Sequence, residues 1–349
     1  MNGLNEYIEK LDCPDEAERI YAAEDIGYMN APDGVPALLE RLVKEPSRAV
    51  RDVIFQALIR IDGEASILGS IRLLGSDDPQ IRNQAVDVLR RKGAASIPSL
   101  NAAMRDGDRD VRKLVLDVLS GVPAGGAEGI YEAALSDPDP NVVITAVENL
   151  GRTRATQFRC RIEELLLAGS HPMLLGACLE ALREIGDELS LVTIRHRFPD
   201  LAMVPDFLLV PCLKAIGALG AAGEFMEVAE LLAVRVPHLR PAILTALNAI
   251  HQRHPMKAQS DHLLTVLRAM VEDGEPPLHR YQAVRALRYL SFRDDVCSLL
   301  VSCLSSPERL VRLGAIESLR ATERPELERV LTERALQETD EEVLQALGC

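Results

Sequence analysis

Tryptophan is absent from this 349-residue sequence, and aromatic residues as a class make up only 3% of it. Such a chain has few rigid ring faces on which bases or sugars stack, so its core must be built from Leu, Ile, Val and Ala. Positive charge is also short, with 39 Lys and Arg against 53 Asp and Glu for a net charge of −14. Nucleic-acid affinity comes largely from cations that displace phosphate counterions, and this balance argues against a nucleic-acid partner. The acidity is concentrated early, because residues 1–150 hold 16 basic and 26 acidic side chains whereas residues 151–300 hold 17 of each.

No uninterrupted apolar run of membrane-spanning length is present. The most apolar stretch, Phe207 to Gly223, contains Pro211 and Lys214 and is rich in Ala and Gly, which predicts a buried helix and its turn and no membrane contact. The opening segment MNGLNEYIEKLD lacks the apolar centre of a secretory signal, so a cytoplasmic location is expected. Seven scattered cysteines, Cys13, Cys160, Cys178, Cys212, Cys297, Cys303 and Cys349, are expected as free thiols. Walker A, Gly-x-Gly-x-x-Gly, Gly-x-Ser-x-Gly and Cys-x-x-Cys motifs are all missing, which lowers the expectation of an enzyme.

What the sequence has in abundance is repetition. With Arg19 taken as an anchor, equivalent positions fall at Arg51, Arg82, Arg112, Val143, Leu175, Leu209, Arg240, Arg280 and Arg312, and one more period leads to Leu344 in a truncated last copy. Seven residues beyond the ten full anchors stand Ile26, Leu58, Leu89, Leu119, Leu150, Leu182, Ile216, Leu247, Leu287 and Leu319, a column of Ile and Leu alone. Three residues beyond each anchor stands a small or medium apolar residue, from Ala22 and Ile54 to Ala283 and Ala315, with Cys178 and Cys212 among them. The two columns lie one helical turn apart on the same face, which predicts a buried seam.

A second apolar-periodic segment precedes each anchored helix, as at Pro36-Ala-Leu-Leu-Glu-Arg-Leu-Val and Ile97-Pro-Ser-Leu-Asn-Ala-Ala-Met. Turns such as Asp77-Asp-Pro, Asp106-Gly-Asp and Asp137-Pro-Asp-Pro join the two, with the Asp and Pro chemistry that ends one helix and caps the next. Each period is therefore a helical hairpin that cannot bury its apolar face alone and must stack on its neighbours.

The segments Asp78-Pro-Gln-Ile-Arg-Asn-Gln-Ala-Val-Asp-Val-Leu and Asp108-Arg-Asp-Val-Arg-Lys-Leu-Val-Leu-Asp-Val-Leu resemble HEAT repeats of the short type found also in phycobilisome-lyase proteins. The resemblance implies an all-α, right-handed α-solenoid of about eleven hairpins running through residues 1–349 as one domain. It implies for function a non-catalytic scaffold or adaptor, or alternatively a phycobilin-lyase-like or chaperone protein acting on a chromophore-bearing client. Two HEAT-built activities meet contrary signs: no His here is followed by the Glu that the di-iron hydroxylases use, and the basic, aromatic concavity of the DNA glycosylases has no counterpart. Departures from the rhythm mark an insertion near 253–261 and a smaller irregularity near 195–205.

Candidate site residues follow from the stacking. The fifth position after each anchor lies between buried columns yet is usually polar, reading Glu24, Gln56, Asp87, Asp117, Glu148, Glu180, Lys214, Thr245, Arg285 and Glu317. Stacking would align Glu24, Asp87, Asp117, Glu148 and Glu180 into an acidic ridge on the concave face, suited to a basic segment of a partner protein. Arg152 and Arg154, followed by Arg159 and Arg161, and again Arg285 and Arg288, are candidates for an acidic or phosphorylated partner. The anchor arginines are expected to be structural, since in four repeats an acid stands four residues earlier to cap the helix and pair with the arginine: Asp15/Arg19, Asp78/Arg82, Asp108/Arg112 and Glu308/Arg312. His251 and His254 are three apart, but Pro255 follows and no Cys or carboxylate stands at ligand spacing, so neither a metal nor a cofactor is expected.

Overall fold

The computed structural model describes residues 2–122, 126–255, 257–272, 276–290, 294–322 and 324–348. Cys349, expected as a free thiol, and Met256, inside the expected insertion, lie outside the described residues. The chain divides into two compact units, Met1–Ala155 and Thr156–Cys349.

Five hairpins make up the described part of the first unit: α1 (Asn2–Lys10) with α2 (Glu16–Tyr28), α3 (Val35–Lys44) with α4 (Arg48–Arg60), α5 (Glu64–Leu73) with α6 (Pro79–Lys92), α7 (Ile97–Asp106) with α8 (Arg109–Leu119), and α9 (Glu128–Ala134) with α10 (Pro140–Arg152). Six make up that of the second: α11 (Arg159–Ala168) with α12 (Pro172–Ile185), α13 (Glu188–Arg197) with α14 (Asp206–Leu219), α15 (Glu224–Val234) with α16 (Arg240–Arg253), α17 (Asp261–Glu272) with α18 (Pro277–Ala286), α19 (Asp294–Cys303) with α20 (Arg309–Arg320), and α21 (Pro325–Ala335) with α22 (Glu341–Leu347). The expected all-α repeat array is the architecture observed.

Local chemistry sets the helix starts. Asp15, Asp78, Asp108 and Asp139 each accept a main-chain N–H in the first turn of α2, α6, α8 and α10, and Ser47 does the same for α4. Proline occupies the first turn of α3, α6, α7, α10, α12, α16, α18 and α21, where its missing N–H costs no hydrogen bond.

Within the first unit the second helices stack in order, α2 on α4, α6, α8 and α10, and the first helices form a parallel layer from α3 through α5 and α7 to α9. In the second unit α12, α14, α16, α18, α20 and α22 stack likewise. Between the layers lies the core. All ten Ile and Leu of the seventh-position column are at most 2% exposed. One close approach demands a missing side chain: a Cβ on Gly27 would lie 2.8 Å from Ala57 Cα, so α2 and α4 meet backbone to backbone there.

The anchor arginines do not pair as expected. Asp15, Asp78 and Asp108 face the helix start, where Asp108 Oδ1 accepts N–H bonds from Asp110 and Val111, both 2.9 Å, and Glu308 turns to the preceding repeat. The arginine turns instead to the preceding turn's carbonyls and to a carboxylate of the following repeat. Arg19 donates to Cys13 O at 2.8 Å and to Glu45 at 2.9 Å; Arg51 reaches Asp78 at 2.9 Å, Arg112 Asp137 at 2.6 Å, and Arg312 Glu338 at 2.9 Å. Arg280 lies 3.0 Å from Glu308 in the same manner. Fully formed ion pairs therefore clasp one repeat to the next, each helped by hydrogen bonds that satisfy the remaining donors.

The insertion near 253–261 is tied down where it is described. Ala258 N–H donates to Tyr289 O at 2.7 Å, and Lys257 Nζ to Arg288 O at 2.9 Å, so the segment lies along the end of α18.

Candidate functional site

In a stacked array each second helix repeats the same faces, so a position between two buried ones must emerge on the same side in every copy. The fifth position does so. Its neighbours one residue before, Ala23, Phe55, Val86, Leu116 and Val147, are all buried, whereas Gln56, Asp87 and Glu148 are exposed and Glu24 and Asp117 half-buried. The first unit thus carries a row of Glu24, Gln56, Asp87, Asp117 and Glu148 on five successive stacked helices.

The two units differ in how this row is compensated. In the second unit it reads Glu180, Lys214, Thr245, Arg285 and Glu317, and neighbouring members neutralise one another: Lys214 Nζ lies 2.7 Å from Glu180, and Arg285 Nε 2.9 Å from Glu317. Glu180 is further engaged by Arg183 at 3.1 Å. No member of the first unit's row is a cation. Asp87 has Arg90 at 3.5 Å, and Glu24 and Glu148 take part in no ion pair among the described residues. Burial raises the Asp117 carboxyl above the usual carboxylate range, against the pull of Lys113, Arg90 and Arg152. Beside it opens a polar cleft of about 420 Å³, lined among others by Asp77, Arg82, Asp108 and Lys113.

Two residues that sequence reasoning missed flank the acidic row. Tyr21 and Tyr28 are 61% and 66% exposed on α2, three residues before and four after Glu24, and so share its face. Arg60 stacks on Tyr28 with its guanidinium 4.4 Å from the ring centroid. Their spacing of three before and four after Glu24 is a sufficient signal in the sequence.

The arginine candidates fall in different surroundings. Arg152 ends α10 and donates to Asn149, and Arg154 follows in a left-handed turn at φ 54°; both are exposed residues of the first unit. Arg159 and Arg161 open α11 in the second unit, Arg159 with Glu163 at 3.0 Å and Asp187 at 2.7 Å, Arg161 with Glu164 at 2.7 Å. Arg285 and Arg288 lie on and just after α18, over Tyr281 and Tyr289 at 5.3 and 5.2 Å. Arg288 donates to the neutral amide of Asn248 at 2.6 Å.

Thiols and histidines offer little chemistry. Burial pushes Cys178 and Cys212 up to about 12, far from a reactive thiolate. His251 packs on Tyr289, ring centroids 4.5 Å apart, and burial together with Arg288 and Lys257 lowers its pKa to about 4. Among the described residues no three His, Cys, Asp or Glu converge as metal ligands, and no helix is long and apolar enough to cross a membrane.

Comparison with known proteins agrees with this architecture. Residues 263–348 match the family model described as HEAT repeats. No curated protein matches the chain. Among solved structures, importin beta in an ammonium sulfate condition is similar with a TM-score of 0.59 and 13% identity, over 99% of this chain and 56% of that one. A mutant of Kap121p is similar with a TM-score of 0.54 and 13% identity, over 99% of this chain and 44% of that one. The chain thus spans about half the length of these structures, and identity so low speaks for the fold alone. The match to HEAT repeats thus covers the last quarter of the chain, residues 263–348, and the same clasped hairpin recurs in both units.

Proposed function

We propose that the chain is a non-catalytic scaffold that binds a partner protein through a basic segment laid along the acidic row of its first unit. The observation that carries this reading is the contrast between the rows: where the second unit pairs Glu180 with Lys214 and Arg285 with Glu317, the first unit presents Glu24, Asp87, Asp117 and Glu148 with no cation among them. A preformed row of like charge draws an oppositely charged segment at long range and sets its register. Tyr21 and Tyr28 would supply the apolar anchor beside it, as exposed tyrosines do at many interfaces. The same row repels a phosphate backbone, which favours a protein partner over a nucleic acid. The reading keeps the repeats as a single continuous array with the row on its concave side. Free thiols suit a reducing compartment, and we place the activity in the cytoplasm.

The test is binding of a partner captured with the wild-type chain, remeasured with Glu24→Lys, Asp87→Lys, Asp117→Lys and Glu148→Lys combined in a variant whose helical circular dichroism is unchanged. Affinity should fall at least about tenfold, and wild-type affinity should fall steeply with salt. Retention of the partner by the folded variant at full affinity would sink the proposal.

A further inference from the structure

Where α16 and α18 pack together in the second unit, a small polar cavity of about 110 Å³ is lined by Leu244, Thr245, Asn248, Gln282, Arg285 and Tyr289. Two polar atoms of this lining, Gln282 Oε1 and Arg285 Nε, are shielded from solvent and find no hydrogen-bond partner among the described residues, and the same holds for Nε of Arg288, which bonds to the lining residue Asn248. Arg285 Nε does lie 2.9 Å from Glu317 Oε2, close enough for an ion pair but without hydrogen-bond alignment. Leaving a buried polar group unsatisfied is costly, so Gln282 Oε1 and the imperfectly aligned Arg285 Nε on one wall mark a place where a further polar group would fit.

The arrangement is organised for an acceptor. Asn248 Oδ1 receives hydrogen bonds from Arg288 Nη2 at 2.6 Å and from Tyr289 OH at 2.8 Å, which fixes the amide and leaves its Nδ2 as a donor at the cavity wall. Turning the Gln282 amide over exchanges its oxygen for a second donor at no steric cost. Two guanidinium groups stand close by, Arg285 over the ring of Tyr281 and Arg288 over that of Tyr289. Glu317 offsets Arg285, but the partner of Arg288 is a neutral amide, so one positive charge is left to be matched. Single negative charge is what the count calls for, since a phosphate dianion would crowd two further charges against Glu317.

We propose that this cavity is a subsite for one carboxylate, supplied by an Asp or Glu side chain of a partner protein, with Asn248, Gln282, Arg285 and Arg288 as its donors. Burial first, and then the charges of Arg288 and Lys257, hold the pKa of His251 down to about 4, and a carboxylate bound beside Arg288 would relieve the second cause. The site lies wholly in the second unit and is independent of the acidic row of the first, so either can fail alone.

The experiment titrates the full chain with acetate, at ionic strength held constant with chloride, and follows the side-chain Nε–H signals of Arg285 and Arg288 and the ring signals of His251 by NMR. Saturable shifts are expected, together with a rise in the pH at which His251 titrates. Arg288→Gln should weaken acetate binding about tenfold or more, while Arg288→Lys keeps the charge and part of the affinity. Asn248→Asp places a carboxylate on Arg288 from within, and should abolish the acetate response in a protein that melts no lower than wild type. Inorganic phosphate should bind no more tightly than acetate. The subsite is overturned if acetate shifts none of these signals more than chloride does, or if Asn248→Asp responds like the wild type; tighter binding of phosphate than of acetate overturns its assignment to a carboxylate.

Discussion

Glu45 has no exposed surface, yet it is ionised in the company of Arg19 at 2.9 Å, Arg41 at 2.7 Å and the Ser47 N–H at 2.9 Å. Glu338 repeats the arrangement with Arg312 at 2.9 Å, Arg334 at 3.0 Å and the Thr339 and Asp340 N–H groups. Burial pushes both carboxyls up, but the guanidinium and N–H partners outweigh it and hold both below the usual Glu range. A carboxyl with a lower pKa folded than unfolded stabilises the fold above the unfolded pKa and loses that contribution as pH falls through the folded one. The midpoint of chemical denaturation should therefore drop in acid, and Glu45→Gln should flatten the drop while costing about 3 kcal/mol at neutral pH. The thiols give a second residue-scale expectation. In native protein a maleimide should label exposed Cys160 quickly and leave Cys178 and Cys212 untouched until denaturant is added, as mass spectrometry of the adducts would record. The clasp itself was not legible in the sequence. An acid four residues before Arg112 is nearer in the chain than Asp137, but Asp108 already holds the N–H groups of its helix start.

At the scale of the helix, the buried columns were legible because burial recurs with the helical period, and no other pattern places Ile or Leu at ten equivalent positions. The emergence of the fifth position between them followed from the same geometry. What sequence periodicity could not supply was the spacing between stacked helices. Gly27 faces Ala57 at backbone distance, so Gly27→Ala should force α2 and α4 apart and cost about 1–3 kcal/mol in urea denaturation. Removal of a cap is milder: Asp108→Ala should cost about 1 kcal/mol by the same measurement, because two N–H groups of α8 then turn to water. A Gly27→Ala protein as stable as wild type would show that the contact relaxes freely.

Across each unit, hairpins pack on their sequence neighbours, and stability in such an array is close to a sum of local contributions. The division at residue 155 was not legible, because the repeat spacing continues through it without a break. Destabilisation should accordingly stay local. With Glu45→Gln, hydrogen exchange should quicken in α1 to α4, while Cys303, buried in α19 with its thiol pushed up to about 11, keeps its protection. Loss of protection throughout both units would mean that they unfold as one.

The clasp between an arginine and the acid of the next repeat has a consequence for editing the chain. Since donor and acceptor recur about once per period, the acceptor always in the turn before the next second helix, cutting out one whole period joins a surviving arginine to a turn of the same kind. Cutting out half a period would strand a charge in the interior. The number of copies is thus adjustable in whole steps, and array length can change by gene duplication or excision without redesign of the joints.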